Sequence, residues 1–365
     1  MDTTITASAV TGSRYVIGFA TAADDADLRR LLRETPMPGP IQISLEREPD
    51  FFAAGRQAGG RHHTVAIRER QTGRLAALGS RSVQEVFIDG QPRRIGYLSQ
   101  LRIAPEDRRR GPRLLRLGFD LLRQTHAQDE APFDITTIVA GNEAARRLLE
   151  AGLPGLPRYQ PLEEFVTFLL PVGRRLLTGR RDMHVATGSA PMLPGILSCL
   201  ERFGRRHQFA PHWTATNILQ PERFYVALAG NHVAGCLALW DQRAFKQVVV
   251  RGYDKTLACW RPLLNWFGAS LPAVGQPLAQ AHLSHVGVDG DDPRVLATLL
   301  AAAMGDARRA GLDCATIGLA ARHPLGEVVR RCHRCRDYTS ILYAVHWDKP
   351  PVLDGRVPHP EVALL

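Results

Sequence analysis

One stretch of the chain, residues 96–120, changes from a strand pattern to a helix pattern across a basic turn that contains a glycine. The strand part ends at Pro105, and leucines at helical spacing follow from Leu114 onward. Between them come three consecutive arginines and then Gly111. Backbone N–H groups at a helix N-terminus lack intrahelical partners, and the helix dipole places its positive end there. The sequence therefore predicts a turn that can hold a phosphate group.

The same stretch resembles motif A of the GNAT superfamily, the acyl-CoA-dependent N-acyltransferases. That motif is an apolar strand, a proline and then Arg/Gln-x-x-Gly-x-Gly/Ala at the start of a helix. The matching residues here are Leu101, Ile103, Pro105, Arg108, Arg109, Arg110, Gly111, Pro112 and Arg113. Arg113 stands where the family has its last glycine, and Pro112 removes one N–H donor but is acceptable in a first helical turn.

The resemblance implies acetyl-CoA as co-substrate and no metal. It also implies that backbone groups of Leu101 and Ile103 hold the pantetheine arm, and that the turn around Gly111 holds the pyrophosphate. The CoA-binding residues predicted in this way are Leu101, Arg102, Ile103, Arg108, Arg109, Arg110, Gly111, Pro112, Arg113 and Asn142. For the arginine side chains, the alternative is a solvated basic turn that binds nothing.

A second family signature follows downstream, where Asn142 precedes Ala145 at the start of a predicted helix. Over residues 14–172 the pattern reads strand, two helices, three or four strands, helix, strand, helix, strand. This is the element order of the GNAT fold. We therefore expect an α/β fold in which helices flank a mixed, mostly antiparallel sheet.

The second half of the chain repeats this plan. Residues 98–103 align with residues 283–288, and residues 134–138 align with residues 313–317. We therefore predict two tandem GNAT-like domains. The predicted segments are an N-terminal acetyl-CoA-binding domain (1–172), a basic linker (173–182), a C-terminal GNAT-like domain (183–348) and a tail (349–365).

The two copies differ at the turn. Asp289, Asp291 and Asp292 stand where the first copy has its arginines, and Ala321 stands where the first copy has Asn142. An acidic turn repels a pyrophosphate. The second copy is therefore predicted to be non-catalytic.

The usual catalytic side chains of the family are absent from their usual places. Ser99 stands where many members have a glutamate, and Leu149 stands where many have a tyrosine. The catalytic candidates are Ser99 itself, Tyr159, which follows soon after Leu149, and Glu85, which could act through water. Further options are Glu46, Glu163, Glu164, His126 and His285. Direct attack by an already neutral amine is the alternative.

The bulk composition narrows the class of protein. The 365 residues carry a net charge of +10, from 46 Lys and Arg against 36 Asp and Glu. The arginines are scattered and no aromatic residues interleave them at 173–182, so a nucleic acid is not the expected partner. No apolar run reaches the length of a membrane span, so we expect no membrane partner. Because the N-terminus also lacks a signal-peptide pattern, we expect a cytoplasmic location.

The cysteines offer a second possible chemistry. All 6 lie in the second half, and Cys332-His333-Arg334-Cys335 has zinc-like spacing. A second pair at a suitable distance is missing from the sequence. We therefore expect free thiols on a helix and no metal.

The leading interpretation is an enzyme that transfers an acetyl group from acetyl-CoA to a primary amine by direct attack. The acceptor is a small molecule or a peptide, and the oligomeric state is open, with a homodimer as one option. One alternative resembles the Fem-type aminoacyltransferases, tandem GNAT-like proteins that use charged tRNA and need no CoA turn. The other is a non-catalytic acyl-CoA-binding or regulatory module, which the missing glutamate and tyrosine favour.

Overall fold

A twelve-stranded β-sheet runs through both halves of the chain in the computed structural model, which describes residues 14–58, 60–173, 183–266, 271–332 and 335–365. The strands are β1 (Tyr15–Phe19), β2 (Ile41–Glu46), β3 (Arg61–Glu69), β4 (Leu75–Ile88), β5 (Gln91–Ile103), β6 (Asp134–Val139), β7 (Arg158–Pro171), β8 (His184–Thr187), β9 (Phe224–Ala229), β10 (His232–Trp240), β11 (Gln247–Tyr253), β12 (Gln280–Val288), β13 (Cys314–Ala320) and β14 (Arg336–His346). The helices are α1 (Asp25–Glu34), α2 (Ala53–Ala58), α3 (Gly111–Asp129), α4 (Glu143–Glu150), α5 (Leu193–Gly204), α6 (Lys255–Trp266), α7 (Pro293–Arg309) and α8 (Leu325–Cys332).

The sheet is mixed and mostly antiparallel, which confirms the predicted fold class. Its strand order is β1-β3-β4-β5-β6-β14-β7-β13-β12-β10-β9-β8. Among the described strands, the parallel neighbours are β5 with β6 and β12 with β13. A separate two-stranded sheet pairs β2 with β11.

The two halves of the chain share their last strands. β14 belongs to the second half in sequence but lies between β6 and β7 of the first half and pairs with both. β7 pairs on its other side with β13 of the second half. Strands of the predicted segments 1–172 and 183–348 thus lie in one sheet. The predicted linker 173–182 lies, apart from Gly173, outside the described residues.

The internal repeat is visible in the backbone. Gln100 on β5 and His285 on β12, which the sequence aligns with each other, have left-handed φ angles of 56° and 53°. The pairing register of both strands with their antiparallel neighbours shifts at these positions. An extra residue on one strand is a β-bulge, which bends that strand away from its neighbour. The same bulge at aligned positions supports two tandem copies of one structural plan.

Helices α3 and α7 occupy equivalent places on the sheet and anchor the turns that precede them. α3 buries Leu114, Leu115 and Leu122 against the strands of the first half. α7 buries Leu299 and Leu300 against the strands of the second half. The helical spacing of these leucines explains why one face of each helix lies on the sheet.

Candidate active site

A wedge-shaped opening separates the ends of β5 and β6. The last paired residues are Tyr97 and Ile135, and the hydroxyl of Thr136 then donates to the carbonyl of Leu98 at 2.8 Å. Beyond this point the bulge turns β5 away, so its remaining residues have no strand partner on the β6 side among the described residues. Leu101 stays 39% exposed there. A strand edge without a partner presents its backbone N–H and C=O groups to any molecule that enters the opening.

Two buried polar atoms near the opening lack protein partners in the described part of the chain. They are Oε1 of Gln100 and Nε of Arg102. Burial lowers the pKa of Arg102, and Nη1 of its guanidinium donates to the carbonyl of Leu101 at 2.9 Å. Leaving such atoms unsatisfied is costly, so a bound molecule with its own donors and acceptors would stabilise this region.

The basic turn follows the opening directly. A short 3-10 helix, Pro105–Arg110, leads into α3, and no side chain caps the N-terminus of either helix. The arginines of the turn are exposed and form no ion pair with any described residue: Arg108, Arg109, Arg110 and Arg113. Uncapped N–H groups and unbalanced cations at one place favour an anion.

Asp107 holds this turn in place. Its buried carboxylate accepts hydrogen bonds from the Tyr15 hydroxyl at 2.7 Å and from Arg74 at 2.6 Å. Burial alone would raise the pKa of Asp107, but these hydrogen bonds and the charge of Arg74 hold it below its ordinary value. The turn is therefore tied to β1 and to the start of β4.

Gly111 is the first residue of α3, so Pro112 does not prevent the helix from starting where predicted. A Cβ at Gly111 would lie 3.5 Å from Cδ1 of Ile103, an ordinary contact. Asn142 caps α4, and its Oδ1 accepts from the N–H of Ala145 at 3.3 Å. The structure therefore places Asn142 in a helix-capping role.

A buried ionic network lies where β5 and β6 are still paired, at Asp134. Arg81 is fully buried and donates to Asp134 at 2.9 Å, to Asp129 at 2.5 Å and to the Thr125 hydroxyl at 3.0 Å. These contacts join β4, β6 and α3. A Cβ on Gly96 would lie 1.8 Å from Oδ1 of Asp134, so this position requires glycine.

Two adjoining cavities lie between the halves, on the β4 side of β5. The larger, of about 290 Å³, is bordered by Ser99 and, across it, by Trp240 of the second half. It also contains the cations Arg47 and Lys246. Burial lowers the pKa of Arg47 to about 10, and burial together with Arg47 lowers that of Lys246 to about 7. Sequence reasoning missed both cations, since nothing in the chain order places them side by side.

Glu85 borders the second cavity, of about 260 Å³, where its carboxylate pairs with Nδ1 of His212 at 2.5 Å. Tyr159 borders neither cavity and packs edge-on against Phe119 and Tyr343, at centroid distances of 6.5 and 6.0 Å. Burial raises its pKa. The structure thus brings Ser99 and Glu85 to neighbouring cavities and leaves Tyr159 in the core. Several further candidates are engaged in ion pairs, namely Glu46 with Arg251, Glu163 with Arg322 and His126 with Asp134.

The corresponding opening of the second copy is filled by the C-terminal segment. Oε2 of the buried Glu361 accepts from the backbone N–H of His285, at the bulge, at 2.7 Å. Val362 lies against Gly318 on β13, where an added Cβ would come within 2.7 Å of it. The predicted tail thus occupies the second opening. Its position there is a steric reason, in addition to the repulsion expected from the acidic turn, why acyl-CoA would not bind.

His285 should make the stability depend on pH. Its ring stacks on Trp213 at a centroid distance of 3.9 Å, and Nδ1 lies 2.9 Å from the Ser284 hydroxyl. Burial lowers its pKa from 6.5 to about 3, so only the unfolded chain takes up a proton between these values. This contribution to stability is therefore complete above pH 6.5 and falls by about 1.4 kcal/mol per pH unit below it.

Urea unfolding of the wild type and of His285→Gln, from about pH 7.5 to about pH 5, measures this contribution as a difference in slope. The comparison is needed because burial raises the pKa of Glu361 to about 7, which gives the opposite slope between pH 4.5 and 7. Equal slopes for the two proteins would contradict a neutral, buried His285.

One cluster in the described part of the chain offers donor atoms for a metal: His207, Asp291 and His323, with one atom of each within 4.8 Å of the others. The two rings lie face to face, at a centroid distance of 4.8 Å and an angle of 9°, whereas imidazoles on one ion point their ring edges at it. Nδ1 of His323 accepts from the N–H of Leu325 at 3.2 Å, and Arg206 pairs with Asp291 at 3.1 Å. This geometry favours a packed histidine pair.

The cysteine motif is described in part. Cys332 is the last residue of α8, while Cys335 follows the helix and precedes β14. Both are free thiols, and residues 333 and 334 lie outside the described residues.

Solved structures with this fold cover most of the chain. A GCN5-related N-acetyltransferase from Sphaerobacter thermophilus is 14% identical, covers 93% of this chain and 98% of its own, and has a TM-score of 0.58. The N-myristoyltransferase of Saccharomyces cerevisiae with bound myristoyl-CoA is 12% identical, covers 96% of this chain and 87% of its own, and has a TM-score of 0.61. A glucosamine N-acetyltransferase region in a fungal multi-domain GH3 beta-N-acetylglucosaminidase is 14% identical, covers 92% of this chain and 38% of its own, and has a TM-score of 0.60. At these identities the likeness shows the fold.

The sequence matches no protein-family model and no curated protein. None of the described helices is long and apolar enough to cross a membrane.

Proposed function

We propose that this chain, which has the GNAT fold, is an N-acetyltransferase that moves the acetyl group of acetyl-CoA to a primary amine. The observation that carries the proposal is the exposed arginine turn at the start of α3, directly beyond the opening between β5 and β6, whose arginines form no ion pair with the described residues. Acyl-CoA has the matching chemistry, since its phosphates suit the turn and its narrow pantetheine arm suits the opening. The structural neighbours support the same chemistry, because one is an N-acetyltransferase and another is an N-myristoyltransferase with bound myristoyl-CoA.

In the proposed reaction the amine nitrogen attacks the thioester carbon, the carbonyl oxygen becomes an oxyanion, and the carbon–sulfur bond then breaks. The amine loses a proton and the thiolate of CoA gains one. Backbone N–H groups of β5 beyond Gln100, on the side where no described strand pairs with it, would hold the pantetheine amides and polarise the thioester. Ser99 and Glu85 border the cavities through which an amine would approach, and they are our candidates for contact with it.

Acetyl-CoA should stabilise the protein. Binding to the folded state at about 100 times the dissociation constant adds about 2.7 kcal/mol. We expect acetyl-CoA and free CoA to raise the melting temperature, whereas S-acetyl-N-acetylcysteamine, which carries the thioester without the phosphates, should not. Absence of a shift with any acyl-CoA would overturn the proposal.

The same melting-temperature assay distinguishes the proposed function from its alternatives. A larger shift with myristoyl-CoA than with acetyl-CoA would assign the chain to long acyl groups. Salt-dependent binding of tRNA without an acyl-CoA response would favour a Fem-type aminoacyltransferase.

A further inference from the structure

The larger cavity contains two cations, and one of them has no acidic partner among the described residues. Arg47 follows β2 and Lys246 precedes β11, and both line the cavity that Ser99 borders. Arg47 forms no ion pair in the part of the chain that the structure describes. Arg56, which lines the same cavity, is by contrast paired with Asp50.

The contacts of Arg47 are to neutral groups. Its Nε has no hydrogen-bond partner among the described residues, Nη1 reaches the carbonyl of Phe51 at only 3.4 Å, and the guanidinium lies 5.2 Å from the centre of that ring. Nζ of Lys246, by contrast, donates to the carbonyl of Ala363 at 3.3 Å and to the main-chain oxygen of Leu365, the last residue of the sequence, at 2.9 Å. The charge of Arg47 therefore has no counterion in the described part of the chain.

The pKa values of the groups around the cavity agree with these contacts. Burial, then the neighbouring charge of Arg47, lowers the pKa of Lys246 to about 7. Glu361 is the acid that acts on Lys246, but burial raises its own pKa to about 7. Its two oxygens also accept from the N–H groups of His285 at 2.7 Å and Ala363 at 3.1 Å. An anion that enters the cavity would therefore balance the charge of Arg47 and relieve its repulsion of Lys246.

We propose, building on the acetyltransferase function above, that the acceptor is a small amine that also carries a carboxylate, and that Arg47 binds this carboxylate. A guanidinium matches a carboxylate with two parallel hydrogen bonds. Phe52 and Trp240 on the cavity wall favour an apolar or aromatic body between the two functional groups. A cavity of about 290 Å³ suits a molecule of amino-acid size. The amine then points toward Ser99 and the thioester.

Matched amine pairs that differ in the carboxylate test this assignment: tyrosine with tyramine, tryptophan with tryptamine, and 4-aminobutyrate with butylamine. Release of CoA from acetyl-CoA gives kcat/KM for each member. Since a charge-assisted contact distinguishes the members, we expect the carboxylate member of at least one pair to be favoured by about ten- to hundredfold.

Variants identify the residue responsible. Arg47→Met should remove the preference while turnover of the decarboxylated amine persists, which also shows that the variant is folded. Arg47→Lys should keep part of the preference, because it retains the charge and loses the two-bond geometry. Arg56→Met is the matched control and should leave the preference unchanged, since the Arg56 charge is already balanced.

Equal or better turnover of the decarboxylated members by the wild type would overturn the carboxylate site, as would a preference that survives in Arg47→Met. If no amine releases CoA, the acetyltransferase function fails by itself, and calorimetry with N-acetyltyrosine and N-acetyltyramine then decides the site. Binding of N-acetyltyrosine alone, lost in Arg47→Met, supports it. Equal binding of both compounds, or of neither, overturns it.

Discussion

Gly111→Asp should abolish the rise in melting temperature that acetyl-CoA produces, whereas Gly111→Ala should keep most of it. A Cβ at this position makes ordinary contacts, the nearest being Ile103 at 3.5 Å, and φ is −45°, so alanine fits without strain. Aspartate instead places a negative charge at the start of α3, where the pyrophosphate is proposed to bind. Two like charges about 5 Å apart at an effective dielectric constant of about 20 repel by ~3 kcal/mol, which weakens binding more than a hundredfold.

Calorimetric titration with acetyl-CoA gives the affinity of each variant, and thermal unfolding without ligand shows whether the substitution itself destabilises the fold. The alanine variant controls for the added side chain and the loss of backbone freedom. Equal weakening in both variants would mean that the charge at the turn is irrelevant, and a phosphate site at the start of α3 would then be ruled out.

Arg81→Ala should destabilise the protein by about 3–5 kcal/mol, because it leaves two buried carboxylates, Asp129 and Asp134, without their shared cation. The Arg81 side chain is 0% exposed, and the two carboxylates are 1% and 4% exposed. The loss should appear as a lower midpoint of urea unfolding.

Arg61→Ala is the matched control, because Arg61 pairs with the same Asp129, at 3.0 Å, but is 61% exposed. An exposed ion pair contributes at most about 1 kcal/mol. If both variants lose the same small amount of unfolding free energy, the buried contacts of Arg81 do not hold β4, β6 and α3 together.

The parts of the fold and of the site that the sequence predicts correctly depend on short sequence patterns. The turn at Gly111, the helix after it and the cap at Asn142 follow from residues close together in sequence. The alignment of Gln100 with His285 also predicted correctly that two strands share one geometry, although the bulge itself was not foreseen. The acidic turn after β12 predicts that pyrophosphate is repelled there, but its sequence gives no hint that Glu361 enters the second opening.

Long-range pairings account for what was missed. The predicted element order contains no strand at β2, because its partner, β11, comes about two hundred residues later. The exchange of β14 into the first half has the same cause. Tyr159 was a catalytic candidate from sequence proximity, yet β7 carries it into the core. Arg47 and Lys246 meet in one cavity through the same β2–β11 pairing, so no sequence window contains both.

Amine-dependent release of CoA tests the central proposal most directly. The wild type, incubated with acetyl-CoA, should release free thiol in proportion to enzyme when a suitable primary amine is present, with the amine recovered as its acetamide. Gly111→Asp should lose this release, and Gly111→Ala should retain it. Acetyl-CoA that binds and stabilises the protein but is never consumed, across a panel of carboxylate-bearing and simple amines, would contradict the enzyme and leave an acyl-CoA-binding module.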